Sequence, residues 1–172
     1  MTNSRSVFRV IAVDEKSPEG LLNKMNNFLA ANSGESGMFV TLLYCIYDVP
    51  AKELTYANGG HYAPLLFRSQ TKSFLDLNAS GMPIGIDPDQ AYEAGKIRLC
   101  SGDILVLYTD GVIEAVNAKK EMFGLGYLKK LVEKNDDLTA SALTKKIEQE
   151  LRNFSEDLSQ FDDITLMIMK VV

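Results

Sequence analysis

Thr109-Asp110-Gly111 follows directly on the apolar run Ile104-Leu105-Val106-Leu107-Tyr108, and the acids Asp162-Asp163 stand just ahead of a second apolar run, Ile164 to Met169. Each acidic group falls where a predicted β-strand meets a loop. If the two strands are neighbours in one sheet, the carboxylates of Asp110, Asp162 and Asp163 converge on one edge. Hard oxygen donors gathered in this way suit divalent cations such as Mg²⁺ or Mn²⁺. Gly111 permits a tight turn and a close approach of backbone to a ligand. Taken singly, each motif has a plainer reading, since Asp-Gly is a common turn and Asp-Asp a common solvated entry to a strand.

The elements that must position these acids can be traced along the chain. Ser17-Pro18-Glu19 predicts a helix start, with a capping hydroxyl, proline at the first helical position and an acid in the first turn. Leu21, Leu22, Met25, Phe28 and Leu29 continue it at helical spacing. Val7 to Ala12 fits a helix or a strand, and 32–37 reads as a loop. A β-rich stretch runs from Met38 to about Thr109, with predicted hairpins at Asn58-Gly59-Gly60, at Ser69 to Lys72 and at Ser101-Gly102. Ala79 to Gln90 reads as an ordered, irregular loop. Gly124 to Glu133 and Thr139 to Phe154 are predicted helices, the second with Leu143, Ile147, Leu151 and Phe154 on one face. Antiparallel strands with helices grouped at the ends give an α+β layered domain.

At 172 residues the chain is the length of one domain with a substantial core. A net charge of -5 with scattered Lys and Arg argues against nucleic acid as a partner. Cys45 and Cys100 lie inside apolar runs at a spacing that suits neither zinc nor a redox pair, so both are expected to be buried thiols in a reducing compartment. No signal peptide or long apolar segment is visible, which predicts a cytoplasmic protein without a membrane anchor.

Seven motifs then occur in a particular order: Met38-Phe39-Val40-Thr41, Tyr56-Ala57-Asn58-Gly59-Gly60-His61, Met82-Pro83-Ile84-Gly85, Ser101-Gly102-Asp103, Tyr108 to Ala115, Phe123-Gly124 and Asp162 to Leu166. The series resembles the SpoIIE/RsbU branch of the PPM-type, metal-dependent protein serine/threonine phosphatases, over about Ser17 to Met169. The resemblance implies an αββα sandwich, two antiparallel sheets flanked by helices, with two Mn²⁺ or Mg²⁺ ions holding a water that attacks phosphoserine or phosphothreonine in line. It implies that Asp110 and Asp162 are metal ligands, that Asp163 caps or supports them, and that Gly111 lets the backbone turn beside the metals. It also implies a bacterial signalling role, with a phosphorylated anti-sigma-factor antagonist of STAS-like type as substrate.

One departure from the family pattern is large. The early Asp-x-x-Gly-His-Gly type motif, whose aspartate bridges both metals, has no counterpart before residue 38. The chain is therefore expected to begin inside a single domain that is incomplete at its N-terminus, spanning 1–172. Open sheet edges left by the missing strands predict a homodimer with an intermolecular sheet or an exchanged strand or helix. Two readings follow for the polypeptide: a phosphatase, or a non-catalytic module of the same fold that binds the regulator. An unrelated Mg²⁺ hydrolase leaves most of the motifs unexplained. His61, the only histidine, is expected to hold its turn or line a rim, and Glu114, Lys119, Lys120 and Arg68 read as solvated polar groups.

Overall fold

The structure is a computed structural model that describes residues 2–32, 39–77, 81–155 and 163–172. The chain divides into two compact units, Met1–Ala63 with Asn78–Leu99, and Pro64–Leu77 with Cys100–Val172.

The first unit holds α1 (Thr2–Asp14), α2 (Pro18–Asn32), β1 (Leu42–Asp48), β2 (Glu53–Gly59) and β5 (Gly95–Arg98). The ambiguous run from Val7 is helical, with Val7, Phe8, Ile11 and Ala12 packed on the unit's core. The α2 start forms as predicted: Pro18 opens the helix and the Gly20 amide donates to Ser17 Oγ at 3.2 Å. Leu21, Leu22 and Met25 are fully buried, each contributing about 2 kcal/mol of transfer free energy. Phe28 departs from the predicted apolar face and is 46% exposed. The sheet has the order β1-β2-β5, and β1 pairs antiparallel with β2 from Leu42 opposite Gly59 to Asp48 opposite Glu53.

The loop 81–92 is irregular, as expected, and two asparagines of α2 hold it. Asn26, wholly buried, donates to the Asp87 carbonyl and accepts from the Gly85 amide, both at 2.8 Å. Asn23 accepts from the Tyr92 amide at 2.9 Å.

The second unit holds β3 (Leu65–Arg68), β4 (Ser73–Asp76), β6 (Ile104–Tyr108), α3 (Asp110–Ile113), α4 (Gly124–Lys134), α5 (Ala140–Ser155) and β7 (Leu166–Lys170). Its sheet has the order β4-β3-β6-β7 with every pair antiparallel. Leu65, Phe67, Ile104, Val106 and Tyr108 pack with Leu128, Leu131, Val132, Leu143, Ile147 and Leu151 of the two long helices. That grouping reflects period two on the strands and period 3.6 on the helices. Lys170 secures the end of β7 by donating to the carbonyls of Asp136 and Leu138 at 2.6 and 2.8 Å.

The hairpin across Ser69 to Lys72 is present, joining β3 and β4. The other two predicted hairpins are not formed. β2 pairs with β1 and β5, whereas β3 pairs with β4 and β6, so Asn58-Gly59-Gly60 ends one strand without returning into its neighbour. The Asn58 side chain closes this bend, accepting from the His61 amide and donating to the His61 carbonyl at 2.8 Å each. Asn58 thus holds the bend through the backbone of His61. Likewise β5 and β6 lie in different sheets, although Gly102 at φ 88° still makes the predicted turn. Asp103, 1% exposed, fixes that turn by accepting from the amides of Cys100 and Ser69 and from Arg68 at 2.6 Å. Arg68 is therefore a structural cation, not a solvated one.

Cys45 is half-buried, but Cys100 is exposed, against expectation. Leu99 takes the inward position after β5, which leaves Cys100 on the turn.

Candidate functional site

The candidate site lies entirely within the second unit, where β6 and β7 end side by side. β6 pairs with β7 from Ile104 opposite Lys170 to Tyr108 opposite Leu166. The pairing continues for one further step, with the Thr109 amide donating to the Thr165 carbonyl at 3.1 Å. This is the neighbour relationship the sequence required for the acids to converge. Asp110 stands at the end of β6, and Asp163 precedes β7 on the adjoining chain. Asp162 lies outside the described residues.

Thr109 joins the two ends through its side chain. Its hydroxyl donates to the Asp163 carbonyl at 3.2 Å and accepts from the Thr165 amide at 2.9 Å. Both capacities of the hydroxyl are used, so the group carrying Asp163 is held against the turn carrying Asp110. Thr109 is also the residue ahead of α3, in an extended conformation (φ −96°, ψ 169°), but its side chain does not cap that helix. Threonine immediately before a helical turn is a capping signal in sequence. Here the hydroxyl is spent on the neighbouring strand instead, which sequence reasoning missed.

Gly111 is buried, and its φ does not lie in the left-handed region. Its requirement is space. A Cβ at this position would stand 2.6 Å from the Asp163 carbonyl oxygen and 3.1 Å from its carbon. The close approach that the structure shows at Gly111 is to the backbone of Asp163.

Asp110 is half-buried, and one carboxylate oxygen accepts from the Gly111 amide at 2.9 Å. Its carbonyl accepts from the Glu114 amide at 2.8 Å, closing the single turn of α3. The other carboxylate oxygen makes no hydrogen bond among the described residues. An anionic oxygen held in this way has the donor chemistry a hard divalent cation takes. Among the described residues no group of three His, Cys, Asp or Glu side chains gathers around it, so these residues alone do not complete a ligand set. Glu114 ends α3 and is exposed. His61 belongs to the first unit, on the bend that follows β2.

The profile of the family described as Stage II sporulation protein E (SpoIIE) matches residues 1–172. Phosphoserine phosphatase RsbU of Bacillus subtilis (strain 168) is 29% identical over 153 residues, covering 89% of this chain and 45% of that protein. The chain therefore spans less than half the length of this relative. Among solved structures, the SiaA-PP2C domain of Pseudomonas aeruginosa matches with a TM-score of 0.84 at 16% identity, over 98% of this chain and 68% of that one. RsbX in complex with magnesium matches with a TM-score of 0.70 at 13% identity, over 99% of this chain and 73% of that one. The structural likenesses bear out the mixed helix and antiparallel-sheet fold of PP2C phosphatase domains. With the profile match over the whole chain, this protein belongs to the SpoIIE family, in the SpoIIE/RsbU branch of the PPM-type serine/threonine phosphatases.

Proposed function

We propose that residues 1–172 act as one metal-dependent phosphatase domain that hydrolyses phosphoserine or phosphothreonine on a regulatory protein in bacterial signalling. The observation that carries this reading is the β6–β7 pairing with its Thr109 crosslink, which sets Asp110 beside Asp163. Asp110 and Asp162 would hold Mn²⁺ or Mg²⁺, with Asp163 and the Gly111 backbone as support. Such an ion supplies charge neutralisation for phosphoryl oxygens and an acidified water. The chain's own part is to hold an anionic oxygen of Asp110 in place through the Gly111 amide, and to exclude any side chain at residue 111. By family resemblance the substrate is a phosphorylated anti-sigma-factor antagonist; on the grounds of its sheet edges and composition, the protein is taken to be a cytoplasmic homodimer. No helix among the described residues is long and apolar enough to cross a membrane.

A second reading, a non-catalytic module of the same fold that binds the regulator, is favoured by one observation: the described residues gather no third acidic ligand. Calorimetric titration with Mn²⁺, followed by hydrolysis of p-nitrophenyl phosphate, separates the two. The phosphatase reading expects metal binding and turnover, both lost in Asp110→Asn. Metal-independent behaviour identical in wild type and variant would overturn it in favour of the binding module.

A further inference from the structure

A short hairpin follows α3 in the unit that carries Asp110. Val116 bridges Met122, the Asn117 amide donates to the Glu121 carbonyl at 3.1 Å, and the Lys120 amide donates to the Asn117 carbonyl at 2.9 Å. The Asn117 side chain fills the turn. It accepts from the amides of Lys119 and Glu121 at 2.9 and 3.0 Å and donates to the Glu121 carboxylate at 2.8 Å. At the base, the Phe123 amide donates to the Ala115 carbonyl at 2.8 Å, and the Phe123 ring, 3% exposed, packs edge-on against Tyr127 and Phe154. One residue before that base, the Glu114 amide bonds to the Asp110 carbonyl. The hairpin is therefore an ordered arm rooted on the turn that positions Asp110.

Lys119, Lys120 and Met122 lie exposed on this arm. Lys120 adopts φ 63°, the left-handed conformation that closes a short hairpin turn, as Lys52 and Lys72 do at φ 52° and 50° in the β1–β2 and β3–β4 turns. Lys119 and Lys120 are both exposed, and neither ammonium has an acidic partner among the described residues. Lys24, Lys72, Lys96, Lys129 and Lys146 form ion pairs, whereas Lys119 and Lys120, like the helical Lys134 and Lys145, form none among the described residues. Beside them Met122 leaves 66% of its surface exposed. On a chain of net charge -5, an adjacent pair of exposed lysines next to an apolar side chain is matched to an anionic protein surface.

We propose that the 116–122 hairpin is the arm that docks the phosphoprotein substrate, with Lys119 and Lys120 pairing with acidic groups around its phosphoserine and Met122 supplying the apolar contact. The inference rests on the phosphatase reading for its partner but is tested without turnover. The probe is a fluorescent phosphoserine peptide flanked by aspartates, its binding to the metal-free chain followed by anisotropy at several salt concentrations. Lys119→Gln/Lys120→Gly removes both charges and relieves the backbone at residue 120. Lys134→Gln/Lys145→Gln removes the same charge from exposed helical positions that form no ion pair among the described residues.

The arm variant is expected to weaken binding about tenfold and to flatten its salt dependence, while the helical variant stays within about twofold. If the chain hydrolyses the peptide, KM rises in the arm variant with kcat retained. Equal losses in the two variants, or no binding by the wild-type chain, would overturn the arm. Binding that depends on the arm, without turnover in Mn²⁺, supports the arm and removes the phosphatase reading. Turnover with a KM indifferent to the arm removes the arm alone.

Discussion

Gly111 and Asp163 meet backbone to backbone: a Cβ on residue 111 would lie 2.6 Å from the Asp163 carbonyl oxygen, closer than folded proteins tolerate. Two segments far apart in sequence are thereby locked at the end of one strand pair. Gly111→Ala has to push them apart, at a cost of about 1–3 kcal/mol typical of overpacking. Chemical denaturation is expected to show that loss, and calorimetry a weakened Mn²⁺ affinity beside it. Wild-type stability in the alanine variant would mean that the 163 segment is free to move away.

Thr109 offers a finer probe of the same junction. Thr109→Val keeps the shape and removes the hydroxyl that links Asp163 and Thr165, with an expected loss of about 1 kcal/mol. Thr109→Ser retains the hydroxyl and is expected to recover most of it. Amide exchange at Thr165, whose N–H donates to that hydroxyl, reads the junction directly. Equal exchange in the valine and serine variants would show that the hydroxyl does not secure it.

The turn between α1 and α2 makes stability depend on acid. Hydrogen bonds from Lys24 and then Ser17 hold the Glu15 carboxylate down at a pKa of about 2, against 4.5 for the free group. Because the folded value is the lower one, the contribution is present above the unfolded pKa and is lost as pH falls from 4.5 toward about 2. The Tm difference between wild type and Glu15→Gln is expected to shrink across that interval. A difference independent of pH would place the effect elsewhere.

The two thiols are expected to react at very different rates. Burial pushes the Cys45 thiol up to about 11, while Cys100 is exposed on its turn. Near neutral pH the reactive thiolate of Cys45 is scarce, so a disulfide reagent should label Cys100 promptly and Cys45 only on unfolding. Cys100→Ser removes the fast phase. Two fast phases in the native chain would contradict the burial of Cys45.

Much of the local architecture was legible because it rests on neighbours in the chain. Ser17-Pro18 starts α2 through contacts with Gly20 and its own turn, and Leu143, Ile147 and Leu151 share a face because helical geometry places them there. The candidate acids were legible for a related reason, since Asp110 and Asp163 sit at the boundaries of apolar runs whose ends are visible in sequence. The Asn23 and Asn26 ties to the 81–92 loop were not, because an asparagine on a helix carries no local sign of a distant backbone partner.

By itself, the sequence determined where strands and helices lie and which acids stand at strand ends, because propensity, periodicity and turn chemistry act over a few residues. The tertiary structure alone decided which strands pair. A turn such as Asn58-Gly59-Gly60 serves equally to close a hairpin or to send the chain into another sheet, and ladder hydrogen bonds with β1 and β5 already occupy both edges of β2. It also decided why residue 111 is glycine. The atom that leaves no room there is the Asp163 carbonyl, brought to it only when β7 lies beside β6.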